Sequence, residues 1–384
     1  MRCKKCVIVS ECPGSDFEDG VCTWCRTGFP NYRPLGIDLL RERLMSGRRE
    51  ESEIDCVVGV SGGKDSTFAL WAMKEYFGLR VHAFTYDHSG VAPFARENVH
   101  RVCDLLRVPL TVCALPDDAH ARSFNHFFRA YVQHPSTVTA GITCAACKHL
   151  HLFGTELAVQ MRAPFVVWAK CPLEDSPFIA LKPVNNSTSR DGIAKGAALL
   201  ARELLQTPAL VSAVLRNFNV ALKGCLAVSP TSSYMKARYP SVQQIPLFEY
   251  WPWNPTEIYA TLKSAGWQKP TEIPADWHSD CDFHAIKEYM FQKLLGVSYT
   301  DGFLSNQVRA GLLTREEALR ELAMSKEHFG RALEPSLIRR GLSEFLDRVS
   351  PECFQVLTPF ETEALKSGHP GAGQLVSISS PHTA

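Results

Sequence analysis

The chain has 384 residues, 45% hydrophobic and 21% charged, enough to bury one large core with appendages. Forty-one Lys and Arg stand against 40 Asp and Glu, a net charge of +1, so no global field draws the chain to nucleic acid or to a membrane surface. No stretch reaches the roughly 18 apolar residues of a membrane span, and "MRCKKCVIVSEC" lacks the apolar run of a signal peptide, which predicts a cytoplasmic protein without a membrane partner.

Fourteen cysteines in a chain of this size point to metal or sulfur chemistry rather than to disulfides. Cys3, Cys6, Cys22 and Cys25 form C-x2-C, fifteen residues, C-x2-C, the spacing of a closed four-thiolate zinc site that folds a segment too short to make its own core. Cys12, followed by Pro13, lies outside this pattern. Residues 1–50 are read as the zinc module and a linker.

"IDCVVGV" is a continuous apolar run of the kind buried on both faces of a parallel sheet, and "STFALWAMKEYFG" then repeats at helical period until Gly78. Between them lies Ser61-Gly62-Gly63-Lys64-Asp65-Ser66. A glycine turn opening a helix offers successive unpaired N–H groups to an anion. The turn matches neither the Walker loop nor the dinucleotide fingerprint, which leaves pyrophosphate as the expected ligand.

"RVHAFTYDHSG" and "PLTVCALP" are the next two strands, ending in the crevice where open α/β sheets bind ligands. Cys113, near the end of the third strand, is expected at the edge facing the nucleotide, as a persulfide carrier or nucleophile. Cys56 and Cys353 read as structural, and Cys103 as a small buried hydrophobe. "ITCAACKHLHLFG" carries a second C-x2-C, Cys144 and Cys147. His149 and His151 follow it on a helix, pointing about 200° apart, so at most one could join an ion there. After the apolar "FVVWA" come Lys170 and Cys171, the latter another candidate thiol.

Residues 185–235 read as an insertion that covers the pocket or makes an oligomer contact; a homo-oligomer is therefore left open. Lys236 and Arg238 are either phosphate ligands or a solvated basic turn. "HSDCDFHAI" brings a late cysteine, Cys281, with His278, Asp280 and His284 around it. Thr314 and Glu317 form a capping box in a helical region spanning 291–350, and the Gly/Ser/Pro-rich 351–384 is expected to be a mobile tail.

Ser61 to Ser66 resembles the SGGxDS loop of the PP-loop ATP pyrophosphatases. The resemblance implies an α/β fold over residues 51–290, a parallel sheet flanked by helices of the adenine nucleotide alpha-hydrolase (HUP) type. It also implies that ATP adenylates a carbonyl oxygen and releases pyrophosphate. By the same resemblance Gly62, Gly63, Ser61 and Ser66 bind the pyrophosphate, Lys64 neutralises developing charge, Asp65 helps hold Mg2+, and Phe84, Thr85, Tyr86 and Asp87 reach the adenine side.

The stretches "FEDGVCTWC", "SGGKDS", "ITCAACKHLHLFGTELAVQMRAPFVVWA", "HSDCDFHAIKEYMFQKLLG" and "SNQVRAGLLTREEAL" resemble, in that order, the N-acetyl sugar amidotransferase branch, which implies ammonia from a glutaminase partner. Where that branch has Gly-Glu, this chain has Ala169, Lys170 and Cys171. The chain also resembles tRNA thiolation enzymes with a C-x2-C and a late cysteine, which implies Cys144, Cys147 and Cys281 around a [4Fe-4S] cluster with an open corner for sulfide. The extra cysteines and the broken Gly-Glu favour sulfur. A nucleic-acid acceptor is not expected. The expected reaction is thiolation of a small molecule, such as guanine to 6-thioguanine, with a sulfur donor protein; the alternative is amidation of an N-acetyl sugar.

Overall fold

In the computed structural model, residues 1–176, 178, 190–269 and 280–354 are described, with side chains from 198 onward in the second of these long segments. The expectations for residues 185–189, for His278 and for most of the tail lie outside them. The chain starts with a short antiparallel ribbon, β1 (Phe17–Glu18) and β2 (Val21–Cys22). Its two turn residues, Asp19 and Gly20, both have positive φ, the backbone twist that suits a two-residue hairpin.

Five parallel strands follow: β3 (Cys56–Gly59), β4 (Val81–Asp87), β5 (Leu110–Ala114), β6 (Phe165–Trp168) and β7 (Gln243–Pro246). They lie in the order β5-β4-β3-β6-β7. The chain thus winds outward from β3 in one direction and then in the other, and the reversal opens a crevice at the carboxyl ends of β3 and β6. The parallel sheet flanked by helices, with a small four-cysteine module and a helical C-terminal region, is the fold class expected from the sequence.

One face of the sheet is covered by the helices Ile37–Ser46, Lys64–Trp71, Pro93–Leu105 and Pro255–Ser264, whose Leu40, Phe68, Val102 and Ile258 share a core with Val58 and Val167. The stretch read as a linker therefore contains a helix of the sheet's own core. The other face takes the helix His149–Gln160, where Leu157 and Ala158 pack with Val57, Phe84 and Trp168.

A second core joins the two ends of the chain. Cys3, Cys6, Cys22 and Trp24 pack with Phe124, Phe283, Phe291 and Phe329. The helices Phe283–Leu295, Tyr299–Arg309 and Arg315–Arg339 supply most of it. The expected capping box is present: Thr314 Oγ1 accepts from Glu317 N at 3.2 Å, and Glu317 Oε2 accepts from Thr314 N at 2.8 Å. Among the described residues, no single helix is long and apolar enough to cross a membrane.

Inside this bundle Lys326, 3% exposed, donates to Asp301 Oδ2 at 2.6 Å, Ser298 Oγ at 2.7 Å and Gln292 Oε1 at 2.5 Å. A buried carboxylate stripped of its cation keeps its desolvation penalty without the compensating attraction. Lys326→Met is expected to destabilise the protein by about 3–5 kcal/mol, read as a lowered denaturant midpoint. Lys326→Arg, which keeps the charge, should lose less.

Candidate active site

The glycine loop sits at the carboxyl end of β3, on the switch point, and opens the helix Lys64–Trp71. Gly62 has φ +86°, and a Cβ there would lie 2.1 Å from the carbonyl oxygen of Ala95. Only glycine fits both the backbone angle and the close approach. The Gly62 carbonyl is held by Trp267 Nε1 at 2.8 Å. Ser66 Oγ accepts from Ser61 N at 3.0 Å and lies 3.1 Å from Ser61 Oγ, so the two serines brace the turn.

Lys64 is 4% exposed and pairs with Asp65 Oδ2 at 2.8 Å, its ammonium 5.1 Å from the centre of the Trp253 ring. The other oxygen of Asp65 accepts from Trp253 Nε1 at 2.9 Å. Both oxygens of the carboxylate expected to hold Mg2+ are therefore engaged. A second carboxylate faces the loop: Asp280 Oδ2 lies 3.4 Å from where a Gly63 Cβ would stand. Its backbone is fixed by Ala92 N donating to Asp280 O at 3.0 Å and by the Val91–Cys281 bridge.

A small open pocket beside the loop is lined by Ser61, Thr85, Asp87, Arg96, His100 and Val112, among others. Strand alternation divides the residues expected on the adenine side. Thr85 and Asp87 face this pocket, with Arg96 Nε donating to Asp87 Oδ1 at 2.8 Å. Phe84 and Tyr86 face the opposite way, onto Trp168 and Phe153.

The same alternation corrects the expectation for Cys113. Val112 lines the pocket, and Cys113, level with Tyr86, packs with the cluster of Phe84, Leu157 and Phe153. Burial, and then Glu156, pushes its thiol up. Cys171 is fully buried in the core of the other face and is likewise pushed up by burial. Cys56, Cys103 and Cys12 are buried as well.

Cys144 and Cys147 shift each other's ionisation in opposite directions. Cys147 and then burial push the Cys144 thiol well up, whereas Cys144 draws Cys147 below the ordinary thiol range against the effect of burial. Burial, then Asp280 and Cys144, push the Cys281 thiol up to about 12, and Cys281 in turn works against the lowering of Cys147. Lys148 and Lys287 act on the same sulfurs. Lys287 sits 4.3 Å from the Tyr299 ring centre.

Neither His149 nor His151 faces the pair. His149 Nε2 lies 3.0 Å from Val220 O and His151 Nδ1 2.6 Å from Ala227 O, so both rings clasp the helix Phe218–Leu226. Gly224 of that helix lets it lie against the C-x2-C turn, since a Cβ there would meet Ala145 O at 2.2 Å. The part of the insertion that is described thus covers the cysteine turn. Lys236 and Arg238 are exposed on the short helix Ser233–Arg238. The residue that does reach Cys147 is His120, 3.5 Å from its sulfur; no motif marked it.

The first cysteine set assembles as the spacing predicts. All four sulfurs of Cys3, Cys6, Cys22 and Cys25 lie within 4.8 Å of one another, with Cys3–Cys25 at 3.9 Å and Cys6–Cys22 at 3.7 Å. A tetrahedral ion with bonds of about 2.3 Å spaces its sulfurs about 3.8 Å apart, so the set fits a single zinc-sized ion, whereas a four-iron cube separates its ligands further. Backbone N–H groups of Lys5 and Cys22 donate to Cys3 Sγ, each at 3.4 Å.

A doubly wound parallel sheet with a glycine loop at its switch point and a four-thiolate module defines the class of protein. No family model matches the chain. An uncharacterized protein of Methanocaldococcus jannaschii is 30% identical over 117 residues, 29% of this chain, and the match spans 42% of that relative's length. Among solved structures the chain is similar to NMN synthetase from Francisella tularensis, at 12% identity and TM-score 0.36 over 85% of this chain and 97% of that one. It is also similar to the U34-tRNA thiolase NcsA from Methanococcus maripaludis with its [4Fe-4S] cluster, at 12% identity and TM-score 0.33 over 81% and 86%.

Two outcomes test this geometry. Cys25→Ser should lose about one bound zinc per chain by elemental analysis and lower the melting temperature, because binding and folding of such a module are one free energy. Burial holds His151 neutral, its pKa pushed down to about 3. Unfolding then takes up a proton below about pH 6.5, so stability present above that pH is lost as pH falls toward 3. His151→Gln, which keeps a donor but does not titrate, should flatten the melting-temperature profile in that window.

Proposed function

We propose that the chain is an AMP-forming PP-loop enzyme that activates a carbonyl or lactam oxygen of a small molecule with ATP and replaces that oxygen with sulfur. The observation that carries the reading is the loop: a strand-glycine-helix turn at the switch point, fixed by Ala95, with a buried lysine beside its N–H groups. In this reading the backbone of Gly62 and Gly63 and the hydroxyls of Ser61 and Ser66 hold the pyrophosphate, and Lys64 offsets its charge. Mg2+, held by Asp280 and by Asp65 if its present bonds open, would neutralise the phosphates.

The acceptor oxygen attacks the α-phosphorus, forming a C–O–P bond while pyrophosphate leaves with its electron pair. A persulfide on Cys147, loaded by a sulfur donor protein, then attacks the activated carbon through its terminal sulfur, and AMP departs. The Cys144 thiol next attacks Cys147 Sγ as its proton passes to the leaving sulfur; the S–S bond breaks, the thiocarbonyl product leaves, and a Cys144–Cys147 disulfide remains. An external thiol reductant supplies two electrons and two protons to restore the pair.

Guanine is the first acceptor to try, with a cysteine desulfurase and labelled cysteine as the sulfur source. Lys64→Ala should reduce acceptor-dependent pyrophosphate release at least roughly a hundredfold, in the range of a lost transition-state charge contact. Cys147→Ser should keep adenylation, read as pyrophosphate exchange into ATP, and lose the thio-product. AMP release that needs ammonia or glutamine and an N-acetyl sugar, and that persists in Cys147→Ser, would instead establish the amidotransferase reading with its glutaminase partner.

A further inference from the structure

We propose that His120, oriented by Tyr86, is the positioning residue that makes Cys147 the reacting sulfur in preference to Cys144 and Cys281. The proposal deepens the sulfur-transfer reading, but its geometric part stands apart from the acceptor. His120 is 1% exposed and lies at the start of the helix Ala119–Gln133, 27 residues before Cys147. Its ring lies against His88, centroids 3.8 Å apart, and Phe283, 5.2 Å apart and 12° from parallel, the three rings forming one cluster in which His88 and Phe283 also touch, 5.6 Å apart. Its place is fixed by these contacts and by its near-complete burial.

The two ring nitrogens have different partners. Nδ1 lies 3.0 Å from the Tyr86 hydroxyl and Nε2 lies 3.5 Å from Cys147 Sγ. A phenol keeps its proton at neutral pH, and burial raises the Tyr86 hydroxyl further out of range. Nδ1 is the hydroxyl's one hydrogen-bond partner among the described residues, so the buried Tyr86 O–H donates there. A neutral imidazole then carries its proton on Nε2, which donates to Cys147.

Cys147 thus receives a donor from His120 Nε2–H. Neither Cys144 nor Cys281 has a hydrogen bond to a ring nitrogen among the described residues. Donated hydrogen bonds stabilise an anionic sulfur, whether thiolate or terminal persulfide, and so raise the fraction that can accept and pass on sulfur. The strand alternation that took Cys113 from the pocket also turned Tyr86 toward this histidine.

The test is competitive alkylation of the native full-length enzyme with iodoacetamide at neutral pH, with each cysteine followed by peptide mass spectrometry. Cys147 is expected to react roughly tenfold or more faster than Cys144, as its larger thiolate fraction requires. His120→Leu should bring the two rates to within about threefold of each other. His120→Gln, which keeps an N–H donor, should recover most of the preference. Tyr86→Phe, which frees the tautomer, should fall between. The last two variants keep the test valid if His120→Leu misfolds.

Equal rates in the wild-type enzyme, or a preference unchanged in all three variants, overturn the proposal. So does protection of Cys144, Cys147 and Cys281 alike until iron is chelated, since those sulfurs would then hold a cluster. A preserved preference with no thio-product from any acceptor would sink the sulfur-transfer reading and leave the His120 assignment standing.

Discussion

The approach of the Gly62 backbone to the Ala95 carbonyl fixes the geometry on which the rest of the site depends. The helix Pro93–Leu105 is anchored in the sheet's core through Val99 and Val102, and the loop is pressed against its first turn. Asn98 of the same helix donates to Gln268 O at 2.8 Å and accepts from Gln268 N at 3.1 Å, which brings Trp267 to the Gly62 carbonyl from the other side. The loop is clamped between two elements far apart in sequence. An anion site of this kind works because its N–H groups are already aligned before the ligand arrives.

The zinc module belongs to this framework. Arg309 reaches Cys25 Sγ at 3.8 Å and Asn306 Oδ1 at 2.5 Å, and Asn306 Nδ2 donates to Leu173 O and Asp175 O at 2.7 and 2.8 Å. Arg315 Nε donates to Cys3 O at 3.0 Å. One side-chain path thus runs from the four cysteines to the turn that follows β6, which holds Lys170 and Cys171. The module's physical work is to hold the helical region, and with it Cys281 and Lys287, against the sheet. A segment of 25 residues has too little apolar surface for that without a metal.

Much of this was legible in the sequence because the signals were local. A C-x2-C pair is a turn, SGGKDS is one strand end and one helix start, and Thr314 with Glu317 is one helical turn; none depends on the rest of the chain. The failures come from tertiary placement. The adenine-side segment was read as a unit, and the pleat splits it, which moved Cys113 off the pocket. His149 and His151 looked like ligands because they follow a C-x2-C, but each caps a carbonyl of a helix 71 and 76 residues away. His120 was missed for the opposite reason: it sits in an ordinary amphipathic helix, and only the packing of Phe283 and Tyr86 around it gives it a role. Alternation along β4 is the one sequence signal that could have separated Thr85 and Asp87 from Phe84 and Tyr86.

The electrostatics around the second cysteine pair bear on the proposed sulfur route. Lys148 follows Cys147 directly, and its ammonium is pushed down by burial and by Lys287. Lys287 moves the other way: burial lowers it, and the charge of Cys144 together with Tyr299 more than restores it. Two cations held near one another in a partly buried site repel, and that cost is offset only if anionic charge stands between them. A sulfur anion at Cys147 meets that requirement in the free pair and in the loaded persulfide, up to its attack on the activated carbon. In the proposed sulfur route, Lys148 and Lys287 therefore face the anion that the reaction uses.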